Sequence, residues 1–402
     1  MKPVGLAPTH GTARDIPGIP ATCRDQAWER SRLEWRVGDP GDPATLVENF
    51  LARHGLPVGD LSGPSLAGLA HEVCGAALFV SAAGGAAMIG GCPGAPSPAP
   101  AVPDVVVVVY EHTANLRLQE PSAGHLGRTV GAWRLGPWRP SWSPSRHAEA
   151  VESVREAIAR GDVYQVNMVG HAAAGYGGDP LPALRRLMRL PGARYAGILQ
   201  GDGWAIGCAS PETLLEVRGG HAVTRPIKGT TPATEAGRAE LLSSPKERAE
   251  HIMIVDLQRN DLSHVAQTGT VRVPELFAVR RWADLWQAES EVTALLRPGT
   301  GLAELLRAIC PGGSVTGAPK LAALREIAAL EPVGRGVSMG ALGWIGPDGI
   351  DLGLTIRTVA ADGQDLHIWA GGGITIDSDP AAEVAEAAAK AAPVRAALHG
   401  LL

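Results

Sequence analysis

The sequence predicts an α+β fold with large antiparallel sheets, and three observations carry that prediction. Some segments repeat apolar residues at helical spacing and others alternate them, without the strict strand–helix–strand repeat of a doubly wound parallel sheet. The segment ARYAGILQGDGWAIGCAS (193–210) holds two strand-like runs around Asp202-Gly203, a turn pair that joins antiparallel neighbours. The last third carries three strand-like runs in succession, MGALGWIG, DLGLTIRTVAA and DLHIWAGGGITI.

In chain order, residues 1–140 form a variable N-terminal part of the fold. They contain the proline-rich break CPGAPSPAPAVP (92–103) and then VVVVVYEH, an unbroken apolar run of the kind a buried strand uses. Residues 141–402 are more regular and carry the chemistry. RHAEAVESVREAIARGD reads as a helix stopped by Gly161, VYQVNMVGHA as a strand and PLPALRRLMRL as a helix. A helix is expected over Pro245–His264, strands in TGTVRVPELFAV, and another helix after Pro319. The closing helix starts near Pro380 and runs toward Leu398, with a break or kink expected at Pro393.

The 402 residues suffice for one large domain or two ordinary ones, and 45% hydrophobic with 19% charged residues is a soluble globular composition. A formal charge of −5 with no Lys/Arg block argues against nucleic acid as a partner. The five cysteines are scattered, odd in number and lack metal-ligand spacing. That pattern fits a reducing compartment and argues against a disulfide framework or a structural zinc site. The first twenty residues hold no signal-like apolar core, and the run Val105–Val109 is too short to span a bilayer. A cytoplasmic protein with no membrane partner is expected.

Chemistry-bearing residues concentrate in SPE (210–212), RPIKGTTPA (225–233), ERAEHIMIVDLQRNDL (247–262), PGGSVTGAPK (311–320), TIRT (355–358) and GGGITIDSDPAAEVAEAAAK (371–390). Glu247 and Glu250 share one helix face, and Glu383 and Glu386 repeat the spacing. Four carboxylates on two helices suit a hard, oxygen-seeking cation such as Mg²⁺, although an isolated E-x-x-E is ordinarily a solvated face. The glycines at 371–373 follow a strand and can offer backbone N–H groups to an anion, and Arg357 can grip a carboxylate with two parallel bonds. Neither glycine-rich segment has the terminal Gly-Lys-Ser/Thr of a phosphate loop, so a nucleotide site is not expected. Lys228, between Pro226-Ile227 and Gly229, is a candidate nucleophile if deprotonated, and Glu212 a candidate general acid.

Taken together and in this order, DLQRNDL, GSVTGAPK, IRT and DSDPAAEVAE resemble the chorismate-utilising enzymes: the anthranilate synthase large subunits and the aminodeoxychorismate, isochorismate and salicylate synthases. The resemblance spans roughly residues 145–395. It implies a single large two-layer domain of antiparallel sheets flanked by helices, with the site in a cleft between its halves. There Mg²⁺ would bridge the enzyme to the ring carboxylate of chorismate, with Glu250 and Glu386 as ligands and Glu247 and Glu383 supporting them. Arg357 and the amides of Gly372 and Gly373 would hold the side-chain carboxylate. Thr316, Ser210, Gln287 and Lys390 fall in substrate-binding segments.

Within the family, Lys228 stands where anthranilate synthases usually have Ala and aminodeoxychorismate synthases Lys. Gln165 stands where the water-using members have a basic lysine. The implied reaction is therefore amination of chorismate to 4-amino-4-deoxychorismate, the p-aminobenzoate precursor. An anthranilate synthase component I is the alternative, and a non-catalytic chorismate-binding protein is the reading from another class. Gln287 and Glu289, in LWQAES, depart from the usual pattern. No Gly-x-Cys-x-Gly glutaminase turn is present, so ammonia is expected from a separate glutamine amidotransferase subunit.

Overall fold

Val105 to Val109 are completely buried, and their place in the sheet explains why the run is continuous rather than alternating. Their strand, Val105–His112, lies between Ala27–Trp35 and Val73–Val80, antiparallel to both. In this computed structural model the described residues are 15–20, 23, 27–64, 73–112, 132–282 and 285–400. The same sheet continues through Ala341–Gly346, Gly349–Leu354, Thr213–Arg218, His221–Arg225, Leu285–Leu295 and Ile227–Pro232, and Arg272–Trp282 also pairs with Leu285–Leu295, making ten strands.

A second, eight-stranded sheet has the order Gly317–Ala318, Gln165–Gly177, Asp365–Ile374, Thr358–Ala361, Trp204–Ser210, Tyr195–Gly201, with two short strands pairing on Gln165–Gly177. Val169, Trp204, Ile206 and Trp369 of this sheet join Leu78, Leu215 and Leu352 of the first in one apolar cluster, so the sheets face each other. Helices Leu181–Leu187 and Pro380–His399 pack on the second sheet's other side through Leu184, Leu187, Val394 and Leu398. Helices Pro144–Arg160 and Lys320–Leu330 bury Val151, Val154 and Ile327 beside them. Fully burying each such aliphatic side chain contributes about 1.5–3 kcal/mol.

Several expected elements appear as read. Gly161 caps Pro144–Arg160 in the left-handed conformation. Gly201 pairs with Trp204 around Asp202-Gly203, closing the expected hairpin. Helices occupy Pro245–Ser263 and Lys320–Leu330.

Three expectations are corrected. DLGLTIRTVAA is not continuous: Gly349–Leu354 belongs to the first sheet and Thr358–Ala361 to the second. Thr355 is tied down between them, its Oγ1 accepting from the Gly340 N–H at 2.7 Å, and Arg357 takes a positive φ of 49°. The helix Pro380–His399 is not broken at Pro393, where a buried face of Ala387, Ala391, Val394, Ala397 and Leu398 offsets one missing backbone bond. The cysteines are not all scattered in space, since the sheet edge brings Cys23 and Cys74 together with His112.

Two of the chain's crossings between the sheets are joints that lie side by side. Pro211-Glu212 links Trp204–Ser210 to Thr213–Arg218, and Thr355–Arg357 links Leu354 to Thr358. They are stitched by Leu354 N–H to Glu212 O (3.0 Å) and Ala209 N–H to Arg357 O (3.2 Å).

Candidate active site

Both joints open onto one cleft of about 590 Å³, within the size range of small-molecule sites. Asn167, Gly371 and Gly373 line it from the second sheet, and Ile227 to Thr230 from the first. Helix Pro245–Ser263 contributes Glu247 and Glu250, and helix Pro380–His399 contributes Glu383, Glu386 and Lys390. The joints supply Glu212 and Arg357.

Glu212 is buried, and its Oε1 accepts a bond from Ser314 Oγ at 3.0 Å. Burial pushes its carboxyl up to about 7, against the opposing pull of the Ser314 bond and the Lys228 charge. It therefore holds a proton at neutral pH far more often than an ordinary glutamate does. Lys228 is half-buried on the strand Ile227–Pro232, just before a bulge at Gly229. Gly229 has φ +75°, and a Cβ there would lie 2.5 Å from Leu241 Cδ1 and 3.0 Å from Glu247 Oε2, so only glycine fits. Across the cleft, a Cβ on Gly373 would lie 2.0 Å from Gln165 Nε2 and 3.4 Å from Lys228 Nζ. The bare backbone of Gly373 thus makes room for the lysine.

Arg357 donates to the Pro191 carbonyl at 3.0 Å, and no described carboxylate pairs with it. Desolvation lowers its pKa from the usual arginine value, so an anion entering the cleft would relieve a partly buried charge.

Glu247 and Glu383 sit in the first turns of capped helices, with Glu250 and Glu386 one turn further along. Ser244 Oγ accepts from Glu247 N–H at 3.2 Å, and Asp379 Oδ1 from Ala382 N–H at 2.8 Å. Glu383 Oε1 accepts from Ser378 Oγ at 2.7 Å, and Glu386 pairs with Lys390 at 2.5 Å. A Cβ on Gly372 would lie 3.0 Å from Glu383 Oε2 and 3.4 Å from Glu386 Oε1, so the glycine leaves a cradle open beside these oxygens. The all-carboxylate donor set and that cradle fit a hard cation with retained waters. No three of the four glutamates bring oxygens within 4.8 Å of one another.

Ser210, Gln287 and Thr316 are buried but lie outside the cleft lining. Ser210 Oγ accepts from Glu212 N–H at 3.3 Å, and Thr316 Oγ1 donates to the Gly312 carbonyl at 2.6 Å. Glu289 is buried between Arg194 (3.4 Å) and Arg280 (3.3 Å), which accounts for a carboxylate at this position.

Three further residues are not singled out by motif, although Ser314 and His251 lie within the chemistry-bearing segments. Asn167 lines the cleft with an unpartnered Oδ1, Ser314 holds Glu212, and His251 is wholly buried with Nε2 2.5 Å from Ser290 Oγ. The first had a signal, since Gln165 and Asn167 put two amides on one face of a buried strand.

The sequence pattern of the chorismate binding enzymes matches residues 110–396. Over 256 residues the chain is 41% identical to aminodeoxychorismate synthase component 1 of Klebsiella aerogenes, covering 62% of this chain and 57% of that protein. It is 40% identical to the Salmonella typhimurium protein of the same name over 70% of this chain and 64% of the relative. Anthranilate synthase component 1 of Streptomyces coelicolor is 38% identical over 70% of this chain and 58% of the relative. The matched part thus spans less than two thirds of each curated relative. Among solved structures, anthranilate synthase component I of Streptococcus pneumoniae shares the fold, with TM-score 0.75 and 24% identity over 92% of this chain and 91% of that one.

Proposed function

The chain belongs to the chorismate binding enzymes, and we propose that it converts chorismate and ammonia to 4-amino-4-deoxychorismate. The observation that carries this reading is the pairing, in one cleft, of Lys228 with a Glu212 carboxyl raised to about 7. A nucleophile facing a protonated acid is what displacement of a poor leaving group needs.

In the proposed sequence the Lys228 amine attacks ring carbon 2, the double bonds shift, and the 4-hydroxyl leaves as water with the proton of Glu212. Ammonia then adds at carbon 4 while the electrons return and expel Lys228, leaving the enolpyruvyl group in place. Arg357 and the amides of Gly372 and Gly373 orient the side-chain carboxylate. Glu250 and Glu386 would hold Mg²⁺ with support from Glu247 and Glu383. When bound, the metal would offset repulsion between substrate carboxylates and the acidic wall.

Ammonia would come from a separate glutamine amidotransferase. In support, burial raises the thiol pKa values of Cys208 and Cys310, which suits packing rather than glutaminase chemistry. The name component 1 among the relatives points the same way.

The test supplies the purified chain with chorismate, ammonium and Mg²⁺ and identifies the product by mass. Aminodeoxychorismate, lost when Mg²⁺ is omitted or Glu250→Gln is introduced, is the expected result. Fluorescent anthranilate as the main product would instead support the second reading, which the 38% identity to an anthranilate synthase motivates. Absence of both products from a folded protein would reject each.

A further inference from the structure

Far from the glutamate cleft in chemical character, one end of the ten-stranded sheet gathers a second set of metal-type ligands. Cys74 lies on the strand Val73–Val80, His112 ends the strand Val105–His112, and Cys23 precedes the strand Ala27–Trp35. These are neighbouring strands; Ala27 pairs with His112, and its N–H donates to the Cys23 carbonyl at 3.1 Å, which sets Cys23 beside the histidine. The two sulfurs and an imidazole nitrogen all lie within 4.8 Å of one another.

We infer that Cys23, Cys74 and His112 form a zinc-binding site. The donor set is the first argument. Two thiolates and an imidazole select a thiophilic divalent ion over the hard cations that carboxylates take, and two thiolates neutralise its charge. Geometry is the second. Zn–S of about 2.3 Å and Zn–N of about 2.0 Å at a tetrahedral angle separate the donors by about 3.6 Å. Cys23 Sγ lies 3.5 Å from His112 Nε2.

Local construction is the third argument. The register slips between Val73 and Gly75, so Cys74 occupies a bulge, a device that re-aims one side chain. Gly75 anchors that bulge with φ +148°, and a Cβ there would lie 2.6 Å from both the Ile345 carbonyl and the Trp344 ring. Cys23 and Cys74 are buried and not joined in a disulfide, while His112 is exposed. Water reaching the ion past His112 would complete four-coordination. Glu111, whose charge acts on Cys74, is already engaged with Arg30 at 3.1 Å. The ion would clip the start of the first strand to the sheet and play no part in the reaction.

Reduced full-length protein, reconstituted with Zn²⁺ and desalted, is expected to retain one zinc per chain by elemental mass spectrometry. Co²⁺ in its place is expected to show thiolate-to-cobalt charge-transfer absorption, which a carboxylate site cannot produce. Cys74→Ser and His112→Gln should each weaken zinc binding roughly tenfold or more in competition with a chromophoric chelator. Amination of chorismate should persist in both. If wild-type protein takes up no zinc after reduction, or the cobalt protein lacks that absorption, the inference is overturned. A Cys74→Ser protein that folds and keeps full zinc affinity would overturn it equally. Misfolding of a variant leaves the wild-type cobalt spectrum as the deciding measurement.

Discussion

Glu212 and Lys228 have opposite tasks, and substitution separates them. A nucleophilic lysine must shed its proton, whereas arginine keeps its charge under all ordinary conditions. Lys228→Arg is therefore expected to be nearly as inactive as Lys228→Ala, and intact-protein mass spectrometry of wild type with chorismate but no ammonia should show an adduct. A working Lys228→Arg enzyme with no wild-type adduct would sink the covalent route. Glu212 sets a pH limit. Burial holds its carboxyl at about 7, so the acid form is present below that pH and lost above it. The rate should fall about tenfold per pH unit on the alkaline side, and Glu212→Gln should lose roughly 10²–10⁴-fold in kcat together with that limb. Motifs exposed these two residues because each sits in a run of unusual composition. Ser314 and His251 act through a neighbour's environment, which appears only when strands and helices from distant sequence meet.

Gly229 and the histidines of the second sheet show what single elements contribute. Adding a methyl at Gly229 sets it 2.5 Å from Leu241 Cδ1 on a backbone with φ +75°, displacing Lys228 next door. Gly229→Ala should cut kcat more than about tenfold, since misplacement by about 1 Å can cost 10². Circular dichroism should stay unchanged, and a fully active variant would show that the bulge does not aim the lysine. In the second sheet, His171 and His367 link Ser141 Oγ to Asp362 in one hydrogen-bonded chain, with 3.1 Å between the imidazoles. Burial first, then His367, pushes His171 down to about 3. The unfolded chain thus binds a proton near pH 6.5 that the folded chain refuses. Stability is intact above that pH and is lost as pH falls toward 3, by up to about 1.4 kcal/mol per pH unit from this residue. Urea unfolding at pH 7 and pH 5 should show the loss, and His171→Asn should reduce it. Periodicity read most elements correctly but could not see the break after Leu354. TIRT has strand composition on both sides, and what divides it is a change of sheet.

At the scale of the whole molecule, the cleft opens where two of the chain's crossings between the sheets lie side by side, each delivering one charged residue. Neither sheet alone has a complete site, so relative movement of the two is expected to disturb Glu212 and Arg357 together. The sequence divided chemistry from a variable N-terminal part, but the first sheet threads across that division. Val73–Val80 pairs with Ala341–Gly346, so strands from both parts share one ladder. This has a consequence for synthesis on the ribosome. The valine-rich strand and its two neighbours emerge early, yet one edge of that trio stays unpaired until translation passes Gly346. An apolar edge waiting that long invites association between nascent chains. Chains stalled at Leu330 should therefore be captured by holdase chaperones and degraded readily. Completed chains should resist proteolysis, and equal protease resistance of the two would show that the early strands are protected without their late partner.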